Sequence, residues 1–326
     1  MDSDAPVLAG FEEFAELAPS TPPLIDDEGR VRLSFSRMDT YRNCPRKFRY
    51  AYVDRIPGLG SPALSLGSSI HDALDRFYDR KLPTPPSEEE LLGFLFEAWD
   101  SSGFEDLDRD EQVQFYRHAQ DVLRRYHRRV LEDYRLPVAT EMWFELPFED
   151  AVVVGAIDRI DRDDDGSLHV IDYKTNRRAQ PRARVAGSLQ LAIYALACEH
   201  LYGQLPASVA LDFVVAGVVV RVGLEEIDLD AARDAVRTTA AGIRAEEFIP
   251  TPNRLCDWCD HRALCPAWPD ETQASDHLLG PVVARRTELR RQVRRELEEL
   301  RALDDAVQRL TRELADDTSA PAEEPS

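Results

Sequence analysis

Three stretches rich in β-forming residues follow one another with almost nothing between them: 140–148, 151–162 and 168–173. The first gap is the pair Glu149-Asp150, and the second runs through Asp163-Asp164-Asp165-Gly166. Connections this short join antiparallel neighbours, because a parallel return needs a crossover of about a dozen residues or more. The chain is therefore committed to a sheet built on an antiparallel meander. Side chains alternate faces along a strand. The third strand closes on Asp172-Tyr173-Lys174, so Asp172 and Lys174 point the same way. The second carries Asp158 at the end of Val152-Val153-Val154-Gly155-Ala156-Ile157, a run apolar on both faces.

Helical patterns surround this meander. A short helix is expected over 34–52 with Ser36 as its N-cap, and a second over 64–80. Leu82-Pro83-Thr84-Pro85-Pro86 breaks the second, and Ser87 with Glu90 forms a capping box for a third. A long amphipathic helix follows over 111–134. After the meander the pattern gives a helix over 183–202, a hairpin of 208–215 with 218–222, and a helix over 228–246. A Pro- and Cys-rich segment covers 250–269. Residues 1–30 read as a loose acidic arm and 318–326 as a disordered tail. Between 276 and 317, Leu289, Val293, Leu300, Leu303, Val307, Leu310 and Leu314 form a heptad seam broken once by Glu296. That helix reads either as packing back on its own domain or as a coiled coil with a protein partner or a second copy. The class is α/β, with a helical N-terminal part and a coiled-coil-like C-terminal helix.

No apolar run approaches the ~20 residues of a membrane span, and the acidic start lacks a signal-peptide pattern. A cytoplasmic protein without membrane contact is expected. The net charge of −21 argues at first against a nucleic-acid partner. The first 30 residues, however, hold eight acids and one base, and residues 291–326 hold ten acids and six bases. Bases cluster between these tails: Arg42, Arg46, Lys47 and Arg49; Arg124, Arg125, Arg128 and Arg129; Arg177, Arg178, Arg182 and Arg184. Local basic patches on an acidic average are compatible with DNA, above all where metal ions add positive charge.

Two acids and a lysine converging at strand ends are expensive to bury without a purpose. A divalent cation supplies one, since carboxylate oxygens are preferred ligands of hard metals. Asp158 and Asp172 then hold Mg²⁺ or Mn²⁺, with the Tyr173 carbonyl as a further ligand. Lys174 is placed to orient water and offset charge on phosphate. Asp161, Asp163, Asp164 and Asp165 read as solvated turn residues. His71, in Gly67-Ser68-Ser69-Ile70-His71, is by itself an ordinary helical histidine. Cys256-x-x-Cys259, Cys265 and the distant Cys44 make four thiolates, which suit zinc or an iron–sulfur cluster. Cys198 lies in an apolar stretch and reads as a core residue.

Gly67-x-x-x-His71, Gly155-x-x-Asp158, Asp172-x-Lys174 and Gln190-x-x-x-Tyr194 occur in that order. As a set they resemble the PD-(D/E)XK nuclease superfamily in its RecB-like branch, over about residues 31–270. The resemblance implies a restriction-endonuclease-like core, a central mixed sheet flanked by helices. It implies that His71, Asp158 and Asp172 bind metal, that Lys174 is catalytic, and that Gln190 and Tyr194 support the site and contact DNA. One cysteine before the core and three after it resemble the iron–sulfur members, the AddB-type subunits and CRISPR-associated exonucleases. On that resemblance Cys44, Cys256, Cys259 and Cys265 hold a [4Fe–4S] cluster, a structural staple closing a loop of more than 200 residues.

The activity implied is hydrolysis of DNA phosphodiesters by metal-activated water, as an exonuclease on single-stranded DNA or DNA ends in repair or recombination. No G-x-x-x-x-G-K-[ST] is present, so no helicase motor accompanies it. Tyr41, Phe48, Tyr50 and Tyr52, near basic residues, offer rings for unpaired bases or for packing around the cluster. A CRISPR spacer-processing nuclease shares the same site, and a nuclease-like DNA-binding module without cutting is a third reading.

Overall fold

The computed structural model describes residues 23–268, apart from positions 57, 59, 80–82, 105 and 106. The heptad segment, the C-terminal tail and residues 1–22 of the acidic arm lie outside the described residues. The chain divides into two compact units, Met1–Asn253 and Arg254–Ser326.

The first unit is built on six strands: β1 (Val31–Leu33), β2 (Ala139–Pro147), β3 (Ala151–Arg162), β4 (Leu168–Lys174), β5 (Ser208–Phe213) and β6 (Val218–Gly223). β2, β3 and β4 are the antiparallel meander read from the short turns. β3 is long enough to have different neighbours at its two ends. Its start pairs in parallel with β1, its end pairs with β4, and β2 runs along its other edge. β5 lies parallel to β4 and antiparallel to β6, giving a mixed sheet in the order β1-β3-β4-β5-β6.

Helices cover both faces: α1 (Phe35–Asn43), α2 (Pro45–Phe48), α3 (Pro62–Asp79), α4 (Glu88–Glu97), α5 (Arg109–Val130), α6 (Arg182–Ala186), α7 (Leu189–Tyr202) and α8 (Leu229–Arg244). This is the mixed, helix-flanked sheet of a restriction-endonuclease-like fold. One apolar cluster joins Val153, Ile157, Val170 and Leu211 to Met38, Leu191, Cys198 and Val236. The other joins Ile171, Tyr173 and Val214 to Ile70, Phe77, Leu95 and Leu123. Side chains of this size contribute about 1.5–3 kcal/mol each when fully buried. Along β4 the clusters alternate: Val170 enters the first, while Ile171 and Tyr173 enter the second. Cys198 is a core residue, and burial pushes its thiol up to about 11.

Several expectations change. The helix over 34–52 starts one cap earlier, with Ser34 Oγ accepting from the Arg37 N–H, so Ser36 is not the cap. It then breaks at Cys44-Pro45, because proline lacks the N–H that a continuing helix needs. The helix over 183–202 divides at Gly187-Ser188, and Ser188 caps the second piece. The three-residue strand β1 carries too few residues for a pattern to show, and only pairing with β3 defines it. Ser87 and Glu90 do form the capping box. Part of the acidic arm is structured, since Ile25 bridges to Val31 across a turn at Gly29, whose φ is +77°.

In the described part of the second unit, Cys256–Trp258 and Arg262–Leu264 are single 3-10 turns. Cys256 opens the first turn, Cys259 follows it, and Cys265 follows the second. None of the chain's five cysteines is in a disulfide.

Candidate active site

The end of β4, the middle of β3, the start of β2 and the middle of α3 meet at one place. Two motif glycines make the approach close enough. A Cβ on Gly67 would stand 3.3 Å from Thr175 Oγ1, so its absence lets α3 come down onto the residue following Lys174. A Cβ on Gly155 would meet the Phe144 ring at 3.0 Å, so that glycine seats β2 against β3.

Asp158 is buried, and its Oδ2 accepts the Tyr173 N–H at 2.7 Å. The same oxygen lies 3.4 Å from His71 Nδ1. Asp172 is 1% exposed. Its Oδ2 forms an ion pair with Lys174 Nζ at 2.6 Å. Lys174 also donates to Gln190 Oε1 at 2.8 Å. Gln190 Nε2 in turn donates to the Tyr194 hydroxyl at 3.0 Å, which fixes the amide with its oxygen toward the lysine. The structure therefore brings together His71, Asp158, Asp172, Lys174, Gln190 and Tyr194.

Glu141 is the functional residue that sequence reasoning missed. It lies between the cross-strand rungs Thr140–Arg159 and Met142–Ile157, directly opposite Asp158. Opposite residues of an antiparallel pair share a face. Counting back from the Glu149-Asp150 turn would have found it. Its backbone is left-handed, with φ +41°, an uncommon state for a residue with a Cβ. Although the residue as a whole is exposed, its carboxyl end turns into the cluster. His71, Glu141 and Asp158 each offer a ligand atom, and these atoms lie within 4.8 Å of one another. Strained backbone of this kind concentrates at functional sites.

Burial and crowding shift the titratable groups of this cluster. Burial, then the charge of Asp172, holds the Asp158 carboxyl well above the usual carboxylate range, against the Tyr173 N–H. Burial raises Asp172 as well, against Lys174. Desolvation and the charges of Asp75, Asp72 and Asp172 push Glu141 up to about 7. Burial pulls His71 down, favouring the neutral imidazole that ligates metals, although the Asp172 charge opposes it. Burial raises the Tyr194 phenol, so it stays a neutral hydroxyl. Crowded carboxyl groups and a neutral imidazole, with ligand atoms of His71, Glu141 and Asp158 within 4.8 Å of one another, fit a hard divalent cation.

Behind the site is a polar layer that composition concealed. Tyr173 OH is 3.3 Å from Tyr126 OH, which is 2.9 Å from Tyr78 OH. The Arg159 guanidinium lies 4.2 Å from the Tyr78 ring centroid and pairs twice with Asp161, at 2.6 and 2.8 Å. Asp161 is therefore a buried ion-pair partner and not a solvated turn residue. Asp163, half-buried at the turn, bonds His169 Nε2 at 2.9 Å and Arg135 at 2.5 Å. Arg129, from the basic run on α5, grips Asp212 with two contacts of 2.8 and 2.7 Å.

Tyr41, Phe48 and Tyr50 are buried, and Tyr52 is half-buried against Phe48. Tyr41 donates to the Glu247 carbonyl, and Phe48 stacks on Phe248. The first three rings are buried in the first unit, and Arg37 lies over the ring of the half-buried Tyr52. No helix among the described residues is long and apolar enough to cross a membrane.

A family model described as the PD-(D/E)XK nuclease superfamily matches residues 32–266. The "Gene 69 protein" of Mycobacterium phage D29 is similar, with 25% identity over 267 residues, 72% of this chain and 96% of that protein. The solved structure titled "Crystal structure of SSO0001" is similar over 62% of this chain and 84% of that one, at 18% identity and a TM-score of 0.32. That likeness is too distant to bear on the site.

Proposed function

The chain belongs to the PD-(D/E)XK nuclease superfamily, and we propose that it is a divalent-metal-dependent exonuclease. Its substrate in this reading is single-stranded DNA or DNA ends, met in repair or recombination. The carrying observation is that His71, Glu141 and Asp158 place ligand atoms within 4.8 Å of one another, next to the buried ion pair of Asp172 with Lys174.

His71, Glu141, Asp158 and Asp172 would hold Mg²⁺ or Mn²⁺, with the Tyr173 carbonyl as a further ligand. A cation bound there supplies Lewis acidity, easing deprotonation of water and neutralising phosphate charge. Lys174 is held between Asp172 and Gln190, so its ammonium is already placed when charge grows on the phosphate oxygens. Water's oxygen bonds to phosphorus, the P–O bond to the leaving sugar breaks, and the departing oxygen takes a proton. Gln190 and Tyr194 hold the lysine and are positioning residues.

A finer reading concerns the thiols. We place a [4Fe–4S] cluster on Cys44, Cys256, Cys259 and Cys265. Four half-buried thiols outside any disulfide, three of them on two tight turns, suit its donor set.

The test is an end-labelled oligonucleotide with Mg²⁺ or Mn²⁺, wild type beside Asp172→Ala and Lys174→Ala. Wild type shortens the strand, and both variants lose at least ~100-fold in rate, the scale of removing one preorganised charge. Equal cutting by all three would remove the site.

A further inference from the structure

With Tyr41, Phe48 and Tyr50 buried and Tyr52 half-buried under Arg37, a ring for unpaired bases is to be sought elsewhere. Trp143 is an exposed candidate. It lies on β2 and is 58% exposed, a costly state for the largest apolar side chain. Its neighbours Met142, Phe144 and Leu146 pack in the first apolar cluster. Alternation over 142–146 therefore turns Trp143 to the other face, two residues along the strand from Glu141. Trp143 pairs across the strands with Ala156, the rung next to Glu141 opposite Asp158. Two residues along a strand span roughly 7 Å, about the separation of successive nucleotides in an extended single strand. Ala156 is small, so nothing on the opposite strand covers the indole.

The sheet order places a complementary feature on the other flank. β2 and β4 lie on opposite edges of β3. Just beyond β4, Arg177 comes close enough to α5 that its charge, with burial and that of Arg125, lowers the His118 pKa. A ring on one flank and paired cations on the other is the combination that binds single strands, by base stacking and phosphate attraction.

We propose that Trp143 is a base-stacking residue that makes this site selective for unpaired DNA. The inference rests on the nuclease reading and names the strand form it acts on. A duplex keeps its bases stacked on one another and leaves Trp143 unused. An unpaired end lays a base on the indole and so presents the neighbouring phosphate to Asp158, Asp172 and Lys174.

The experiment uses the full chain as wild type, Trp143→Ala and Trp143→Phe. Fluorescence anisotropy without divalent metal gives Kd for a labelled oligo(dT) and for a blunt hairpin duplex. Cutting of both DNAs in Mg²⁺ then gives KM and kcat. Trp143→Ala weakens oligo(dT) binding roughly 5- to 150-fold, the range for losing one base–aromatic stack. KM rises with it, kcat changes less, and the duplex is barely affected. Trp143→Phe recovers most of the loss. Wild-type values for Trp143→Ala on oligo(dT), or equal losses on both DNAs, would overturn the proposal. Oligo(dT) bound through Trp143 but left uncut would overturn the nuclease reading and leave the stacking role standing.

Discussion

Replacing Asp161 by alanine is expected to be among the most damaging single changes in this chain, although the residue touches no proposed ligand. Arg159 and Asp161 are 7% and 6% exposed, and their two contacts are 2.6 and 2.8 Å long. Asp161→Ala leaves a guanidinium buried over the Tyr78 ring with its countercharge gone. Breaking a buried pair by removing one partner costs about 3–5 kcal/mol, because the surviving charge stays desolvated. In a unit of this size each kcal/mol moves the midpoint roughly 2–4 °C, so melting should fall by about 6–20 °C. The double variant Arg159→Met/Asp161→Leu removes both charges at similar volume and should recover most of that loss. Circular dichroism melts in EDTA measure all three proteins without metal linkage. Arg159 supports Tyr78, which reaches Tyr126 and Tyr173, the residue between Asp172 and Lys174. Cutting by Asp161→Ala should therefore also slow at temperatures where it is fully folded. A loss below about 1 kcal/mol, the value of a surface pair, would refute the reasoning. So would a double variant less stable than the single one.

Two further outcomes follow from the site chemistry. Glu141, Asp158 and Asp172 all have raised folded-state pKa values, so the cation-free fold holds protons more tightly than the unfolded chain. Their contribution favours the fold below the unfolded carboxylate range and is lost as pH rises, for Glu141 through about 7. A cation replaces those protons, so the Mg²⁺-induced rise in Tm should be larger at pH 8 than at pH 6, with Glu141→Gln flattening the difference. Scanning calorimetry at the two pH values checks it, and an equal rise at both would contradict it. Purified under argon, the protein should be brown with absorbance near ~400 nm, lost in Cys44→Ala. Colourless protein with stoichiometric zinc would remove the cluster assignment.

The sequence alone determined the meander, because gaps of two and a few residues admit only antiparallel neighbours. Strand alternation then put Asp172 and Lys174 on one side, and β4 bears this out with Tyr173 in the opposite cluster. The spacing of Gln190 and Tyr194 on one helical face was equally local. What only the tertiary structure decided depends on contacts between segments far apart in the chain. His71, a ligand candidate from the order of motifs alone, comes within 3.4 Å of Asp158 only because α3 packs against the end of β4, with Gly67 close to Thr175. Glu141 joins it through the register of β2 on β3 and a left-handed φ that no local pattern announces. Asp161 looked like one more turn acid until Arg159 was found buried beside it. Of four aromatic residues near bases three are buried and Tyr52 is half-buried, while Trp143, within a strand pattern, is exposed two residues from Glu141. Local periodicity fixes which face a residue occupies. Whether that face meets solvent, a partner charge or a bare neighbouring carboxylate is set by packing across the sheet.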